Sequence, residues 1–308
     1  MIDPDYFGCS GKLSFAETRA LATAEGTRQA IGDFSELVSD GRLVTSIDRI
    51  HRCAKDWTKY ARIALNHAFG DVACAGATPI QAMLSFEFGI DSDAADQIAC
   101  SRAFAEELAA RGVALGKCHS SKTGGVTAVT VATLASAPIH DHLNLGRGSI
   151  YINRPIGALK LHYLAEMKVR DDDGASKVLE RPIPIDLRTD HWTIVTDVSG
   201  HGLLGAALHA AGINGLDIKL ELSPIHLLHP DVTVTPVECL QNPIDSYGLP
   251  LSDLHPSAVT IATLRETAGP LLGFIEAKAL AGLLAPPNWI LIGQYEAGTG
   301  KVDISWHE

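Results

Sequence analysis

The chain is short of the residues from which specialised scaffolds are built. It has 6 cysteines in 308 residues, with no C-x-x-C pair and no tight framework spacing. That excludes a disulfide-stapled fold and is read as reduced thiols in a cytoplasmic protein. Positive charge is also scarce: 25 Lys and Arg stand against 36 Asp and Glu, a net charge of −11. A general electrostatic grip on nucleic acid or an anionic membrane is therefore not expected, and any phosphorylated ligand has to be held locally. No apolar run reaches the roughly 18 residues of a membrane span. The opening MIDPDYFGCSGK has neither a basic stretch nor an apolar h-region, so no export signal is expected. With 46% hydrophobic and 20% charged residues the composition is that of an ordinary globular protein. The length suits two domains.

What is present is a mixture of helical and strand periodicity. Asp56–Phe69 and Ala94–Arg111 carry apolar residues at helical spacing, whereas Arg42–Ile47, Ile80–Phe88 and Val126–Leu134 read as strands. The polar stretch Ser136–Gly148 is the expected domain boundary. Beyond it, Gly148–Asn153, His191–Asp197, Asp217–Leu222, Ala258–Leu264, Trp289–Gln294 and Val302–Trp306 read as strands. Ala158–Lys168, Leu203–Ala211 and Phe274–Leu284 read as helices. The expectation is an α+β protein of two mixed α/β domains, with an N-terminal arm over residues 1–12 and domains over 13–140 and 148–308.

Two segments approach a P-loop, Gly8–Ser14 (GCSGKLS) and Gly298–Val302 (GTGKV), and both fail. The required first Gly is Tyr6 or Tyr295, and the required Ser or Thr after Lys is Leu13 or Val302. More informative are four aspartates adjoining apolar or Gly-rich segments: Asp33, Asp48, Asp71 and Asp197. Charges in such settings are costly unless paired or bound to a cation, and hard carboxylate oxygens suit Mg²⁺ carrying nucleotide phosphates. Each could equally cap a helix or form a turn.

The segments ARIALNHAFGDVACAGATPIQAML, ALGKCHSSKTGG, SIYINRPIGALKL and VTDVSGHGLLGAAL, in this order, resemble selenophosphate synthetase. The wider group takes in aminoimidazole ribonucleotide (AIR) synthetase, thiamine-monophosphate kinase and a hydrogenase maturation protein. The likeness runs from about Gly8 to the C-terminus, loosely over 167–191 and 228–258. It implies two α/β domains with ATP in the cleft between them, dimerisation through the N-terminal halves, and aspartates that hold Mg²⁺ around the triphosphate. Carried over by motif, Asp48, Asp71 and Asp197 are metal ligands and Asp33 is a fourth, with Asp48, Asp71, Lys12 and His119 at the nucleotide. Cys9 lies three residues before Lys12, the spacing of that family's catalytic Cys and Lys on a mobile arm. The glycines of this arm and its few apolar anchors suggest that it stands away from the aspartates without nucleotide.

The chain also departs from the family pattern. His67 stands where the family has Asn, Lys117-Cys118 replaces Gly-Gly before His119, Phe34 follows Asp33 in place of a second acid, and Leu264–Pro270 (LRETAGP) replaces D-P-Q-T-S-G-G. Other constellations read as local structure. His226/His229 and His140/His142 lack a third ligand, Cys118 and His119 face opposite ways in an extended chain, and His201 opens a helix in a Gly-rich turn. The implied activity is synthesis of monoselenophosphate from selenide, ATP and water, with AMP and phosphate released. The alternatives are a relative acting on another small substrate and a nucleotide-binding scaffold without turnover.

Overall fold

The computed structural model describes residues 6–9, 13–24, 35–36, 43–136, 145–172, 174–183, 192–234, 237–277 and 288–308. Two sheets organise these residues. After helix α1 (Phe15–Ala24), strands β1 (Ser35–Glu36), β2 (Leu43–His51), β3 (Thr78–Gly89), β4 (Ala114–Thr123) and β5 (Ala128–Ser136) form a five-stranded sheet in the order β1-β2-β5-β3-β4. Helix α2 (Trp57–Cys74) links β2 to β3. Helix α3 (Ala94–Ala110) makes the crossover that the parallel β3–β4 pair requires.

In the second half, β6 (Arg147–Ile152), β7 (Ile194–Asp197), β8 (Leu216–Leu222), β9 (Leu271–Glu276), β10 (Ile290–Ala297) and β11 (Val302–Trp306) form a six-stranded sheet, β11-β8-β10-β6-β9-β7. Helices α4 (Ala158–Glu166), α5 (Ala175–Glu180), α6 (Gly202–Asn214) and α7 (Pro256–Thr263) complete it.

The first sheet is two-faced, as period-2 alternation demands. Val44, Ser46, Asp48 and Ile50 of β2 point inward, whereas Ile47 and Arg49 point out. Helix α2 lies on the inner face. Its start is capped by the Asp56 carboxylate, which accepts the Lys59 amide N–H at 2.7 Å. From Tyr60 to Cys74 every residue but Arg62 is buried, because α2 packs on β2 and β5 and also on β7 and α5 of the second half. A helix covered all round has no polar face to keep, and one apolar core containing Ile50, Leu65, Leu203 and Leu272 runs through both halves.

Two expectations need correction, and one strand was not foreseen. Ala258–Leu264 is not a strand but most of α7, where Pro256 sits in the first turn and the His255 ring accepts the Ser257 N–H at 3.2 Å. Its buried Ala258, Ile261 and Ala262 recur at helical spacing, and the β-branched content misleads. Phe274 begins no helix: Phe274–Glu276 ends β9, and residues 278–287 lie outside the described set. Strand β4 was not anticipated, because as an exposed edge strand it has no apolar alternation to betray it.

Candidate functional site

The site grows from the contact of β2 with α2. Ser46 and Asp48 are two apart on the strand, and His67 and Asp71 are four apart on the helix, so each pair shares a face. The strand step of about 6.6 Å and the helix step of about 6 Å nearly match. Two cross-contacts result: the Ser46 hydroxyl donates to Asp71 Oδ2, and His67 Nε2 lies 3.5 Å from Asp48 Oδ1. All four side chains are buried.

Residues 6–9 of the expected arm lie over this contact, whereas 1–5 and 10–12 lie outside the described residues. Gly8 pairs with His51, whose N–H donates to the Gly8 carbonyl at 3.0 Å. The Phe7 ring meets Tyr163 edge-on at 5.0 Å, and the Cys9 N–H donates to Thr267 Oγ1 at 2.8 Å. Cys9 Sγ reaches His67 Nε2 at 2.9 Å. Gly8 has φ +59°, and an added Cβ would collide with the Thr267 side chain, so glycine is required where arm and C-terminal half touch. The apolar anchor missed in the sequence is Phe7, fully buried.

His67 is held from both sides. The Ala268 N–H donates to Nδ1 at 3.3 Å, which leaves the ring proton on Nε2, facing Cys9 and Asp48. The Ala268 N–H opposes a second proton at Nδ1, so the geometry assigns the Nε2–H form.

The 264–270 segment thus joins the two halves. Glu266, wholly buried, accepts the Gly157 N–H at 2.5 Å and the Leu159 N–H at 3.2 Å, and so caps the start of α4. Its own N–H donates to the Ser199 carbonyl at 3.0 Å, in the turn that follows Asp197. Burial raises the Glu266 carboxyl to about 7, against the pull of these amides and Arg154. Asp197 ends β7 beside Leu271, with the Ser199 hydroxyl 3.5 Å from its Oδ1.

The other sequence candidates separate. His119 pairs with Ser85 across β3–β4, on the outer face, whereas Asp48 lies on the inner face at the level of Val131 and Leu84. Cys118 takes the opposite face from His119. His201 packs edge-on under Phe15 and gives its carbonyl to the Tyr247 hydroxyl at 2.8 Å. His226 spends its nitrogens on the Ser223 N–H and the Leu291 carbonyl, and His229 accepts the Asp231 N–H. In the second near-P-loop, the N–H groups of Thr299 and Lys301 donate to the Asp217 carboxylate at 2.7 and 3.1 Å, where a phosphate would have to sit. Lys12, Asp33, His140 and His142 lie outside the described residues.

Among the described residues, no group of three or more His, Cys, Asp or Glu could by itself hold a metal ion. Asp48 and Asp71 nevertheless suit a hard cation: both are buried carboxylates, Asp71 oriented by a neutral hydroxyl and Asp48 beside an imidazole. The residues that sequence reasoning missed as site members are Ser46, Thr267 and Ala268, with His67 noted only as a departure. The i, i+4 spacing of His67 and Asp71 was the available signal.

This architecture is the AIR synthase-like fold. Residues 30–136 match the family profile described as AIR synthase related protein, N-terminal domain. No curated protein sequence matches the chain. Among solved structures, thiamine-monophosphate kinase from Aquifex aeolicus superposes with a TM-score of 0.68 at 15% identity, over 93% of this chain and 94% of that one. The AaThiL complex with AMPPCP and TMP gives 0.69 at 15% identity, over 93% and 91%. The hydrogenase maturation protein HypE in complex with ATP gives 0.57 at 17% identity, over 88% and 84%. At these identities the likeness is one of fold. No helix among the described residues is long and apolar enough to cross a membrane.

Proposed function

We propose that the chain is an ATP-dependent phosphotransferase that makes monoselenophosphate from selenide, ATP and water: selenide takes the γ-phosphoryl, and water then hydrolyses the remaining ADP to AMP and phosphate. The observation that carries this reading is the docking of Cys9, a soft nucleophile, with Sγ 2.9 Å from the His67 nitrogen that also faces the buried Asp48 carboxylate. In this reading Asp48, Asp71 and Asp197 hold Mg²⁺, with Asp33 as a further ligand. Held there, Mg²⁺ would supply positive charge against the triphosphate. Ser46 keeps the Asp71 carboxylate oriented. Lys12 brings an ammonium to the β- and γ-phosphates when the arm covers nucleotide. Cys9 receives the selenide species, and closure of the arm keeps water from competing.

His119 pairs with Ser85, on the face of the sheet opposite to Asp48. We assign it to the nucleotide of a second copy, in a dimer joined through the first sheet. That sheet exposes Ile47, Ile80 and Met83, at 70%, 42% and 45% of their surface.

A second reading, phosphorylation of another small substrate, is favoured by the similarity to thiamine-monophosphate kinase. Anaerobic assay with ATP, Mg²⁺ and selenide separates the readings. Selenide-dependent AMP supports selenophosphate synthesis, ADP with another acceptor supports the second reading, and no turnover leaves a nucleotide-binding scaffold.

A further inference from the structure

We propose that His67 is the positioning residue for the Cys9 thiol, a hydrogen-bond clamp that holds Sγ at the Asp48 end of the β2–α2 contact. Three observations support it. First, the contact is short and buried: Nε2 to Sγ is 2.9 Å, and both residues are 1% exposed. Second, the direction of the hydrogen bond is set from behind. The Ala268 N–H meets Nδ1 at 3.3 Å, so the proton sits on Nε2 and the ring donates to sulfur. Third, the two ends of the clamp share one piece of backbone, because Thr267 holds the Cys9 amide and the next residue holds the imidazole. That backbone is itself constrained: Ala268 has φ +50°, a left-handed conformation that a residue with a side chain seldom adopts without cause.

The backbone anchors of residues 8 and 9, Gly8 on His51 and the Cys9 N–H on Thr267, fix the main chain, and side-chain contacts choose among the thiol's rotamers. A donor reaching Sγ selects one. The imidazole spans both partners, Ala268 at Nδ1 and Cys9 at Nε2. The clamp stands on this geometry alone, and only its use in catalysis rests on the phosphotransfer reading above.

The experiment is thiol labelling of the full chain under native conditions with N-ethylmaleimide, resolved by peptide mass so that each cysteine is read separately. Cys53, Cys74 and Cys100, all 0% exposed, are internal controls for folding. His67→Phe fills the space without a donor and is expected to speed Cys9 labelling about tenfold, the order of one lost hydrogen bond, with the controls unchanged. His67→Gln keeps a side-chain N–H donor and is expected to restore most of the protection. Cys9 remaining as protected as Cys53 in His67→Phe, or equal labelling in the two variants, would overturn the proposal.

Should His67→Phe unfold, as faster labelling of all three controls would reveal, nitrogen-15 NMR of the imidazole decides. The His67 Nε2 resonance should move on Cys9→Ala, and an unmoved signal overturns the clamp. In turnover assays, His67→Phe is expected to lower kcat, and His67→Gln to recover part of it. A wild-type protein that turns over no ATP would sink the phosphotransfer reading while leaving the labelling result intact.

Discussion

At the residue scale, the site is a matter of which side chains two elements can bring face to face. Asp71 lies in the last turn of a helix with no polar surface to spare, so its carboxylate is buried at 8% exposure and needs the Ser46 hydroxyl. Removing the negative charge at constant shape should therefore separate function from fold. Asp71→Asn and Asp197→Asn are each expected to abolish Mg-ATP turnover, measured by nucleotide release, with unchanged circular dichroism. Ser46→Ala removes only the orienting hydroxyl, and a loss of about 10–100-fold in activity or metal affinity is the expected size. Wild-type turnover in both aspartate variants would remove these carboxylates from the metal site. Cys9→Ser should impair selenide use far more than ATP affinity, since a hydroxyl is neither soft nor ionised at neutral pH. Equal selenide-dependent AMP formation in variant and wild type would make the thiol incidental.

At the element scale, the telling feature is how the start of α4 is capped. No side chain at its N-cap, Gly157, makes the bond; Glu266 supplies it from more than a hundred residues away. The carboxyl has an ordinary value of 4.5 and is raised to about 7 by burial. Because the folded value is the higher, the native state keeps a proton that the unfolded chain gives up. The resulting stability is fully present below about 4.5 and is lost as pH rises through about 7, a difference on the order of 3 kcal/mol. Urea midpoints measured at pH 5 and pH 8 should show this decline in the wild type, and Glu266→Gln should flatten it. Parallel behaviour of the two proteins would mean that Glu266 is charged throughout.

At the scale of the whole molecule, the buried course of α2 between the two halves makes them one structural unit, and the outer face of the first sheet is the surface left for a partner. Light scattering at micromolar concentration is expected to give twice the mass of the chain, and a clean monomer would contradict the dimer. Mixing tests the placement of His119. Asp71→Asn and His119→Ala are each inactive as pure dimers if His119 serves the neighbouring copy. Refolded together they should recover activity, because one site of each mixed dimer keeps both residues. Recovery absent from mixed dimers would return His119 to its own chain or remove it from the site.

Much of this was legible in the sequence, because the mixed periodicity placed most strands and helices and the aspartates stood out as charges beside apolar runs. Local pattern alone sufficed where burial alternates along one element, as in β3, whereas β2 runs on to His51, past Ile47 where the strand reading ends. The pattern failed where the environment is not periodic: in β4, exposed on both faces, and in α7, whose β-branched residues are buried by neighbours distant in the chain. The site divides in the same way. Asp48, Asp71 and Asp197 could be named from motifs, but their partners could not, because Ser46, His67, Thr267 and Ala268 gain meaning only when β2, α2 and the 264–270 turn are brought into contact. The arm shows this most clearly. Its glycines read as freedom, yet Gly8 has its left-handed backbone because Thr267 leaves no room for a Cβ, a constraint that exists only after the C-terminal half has folded against it.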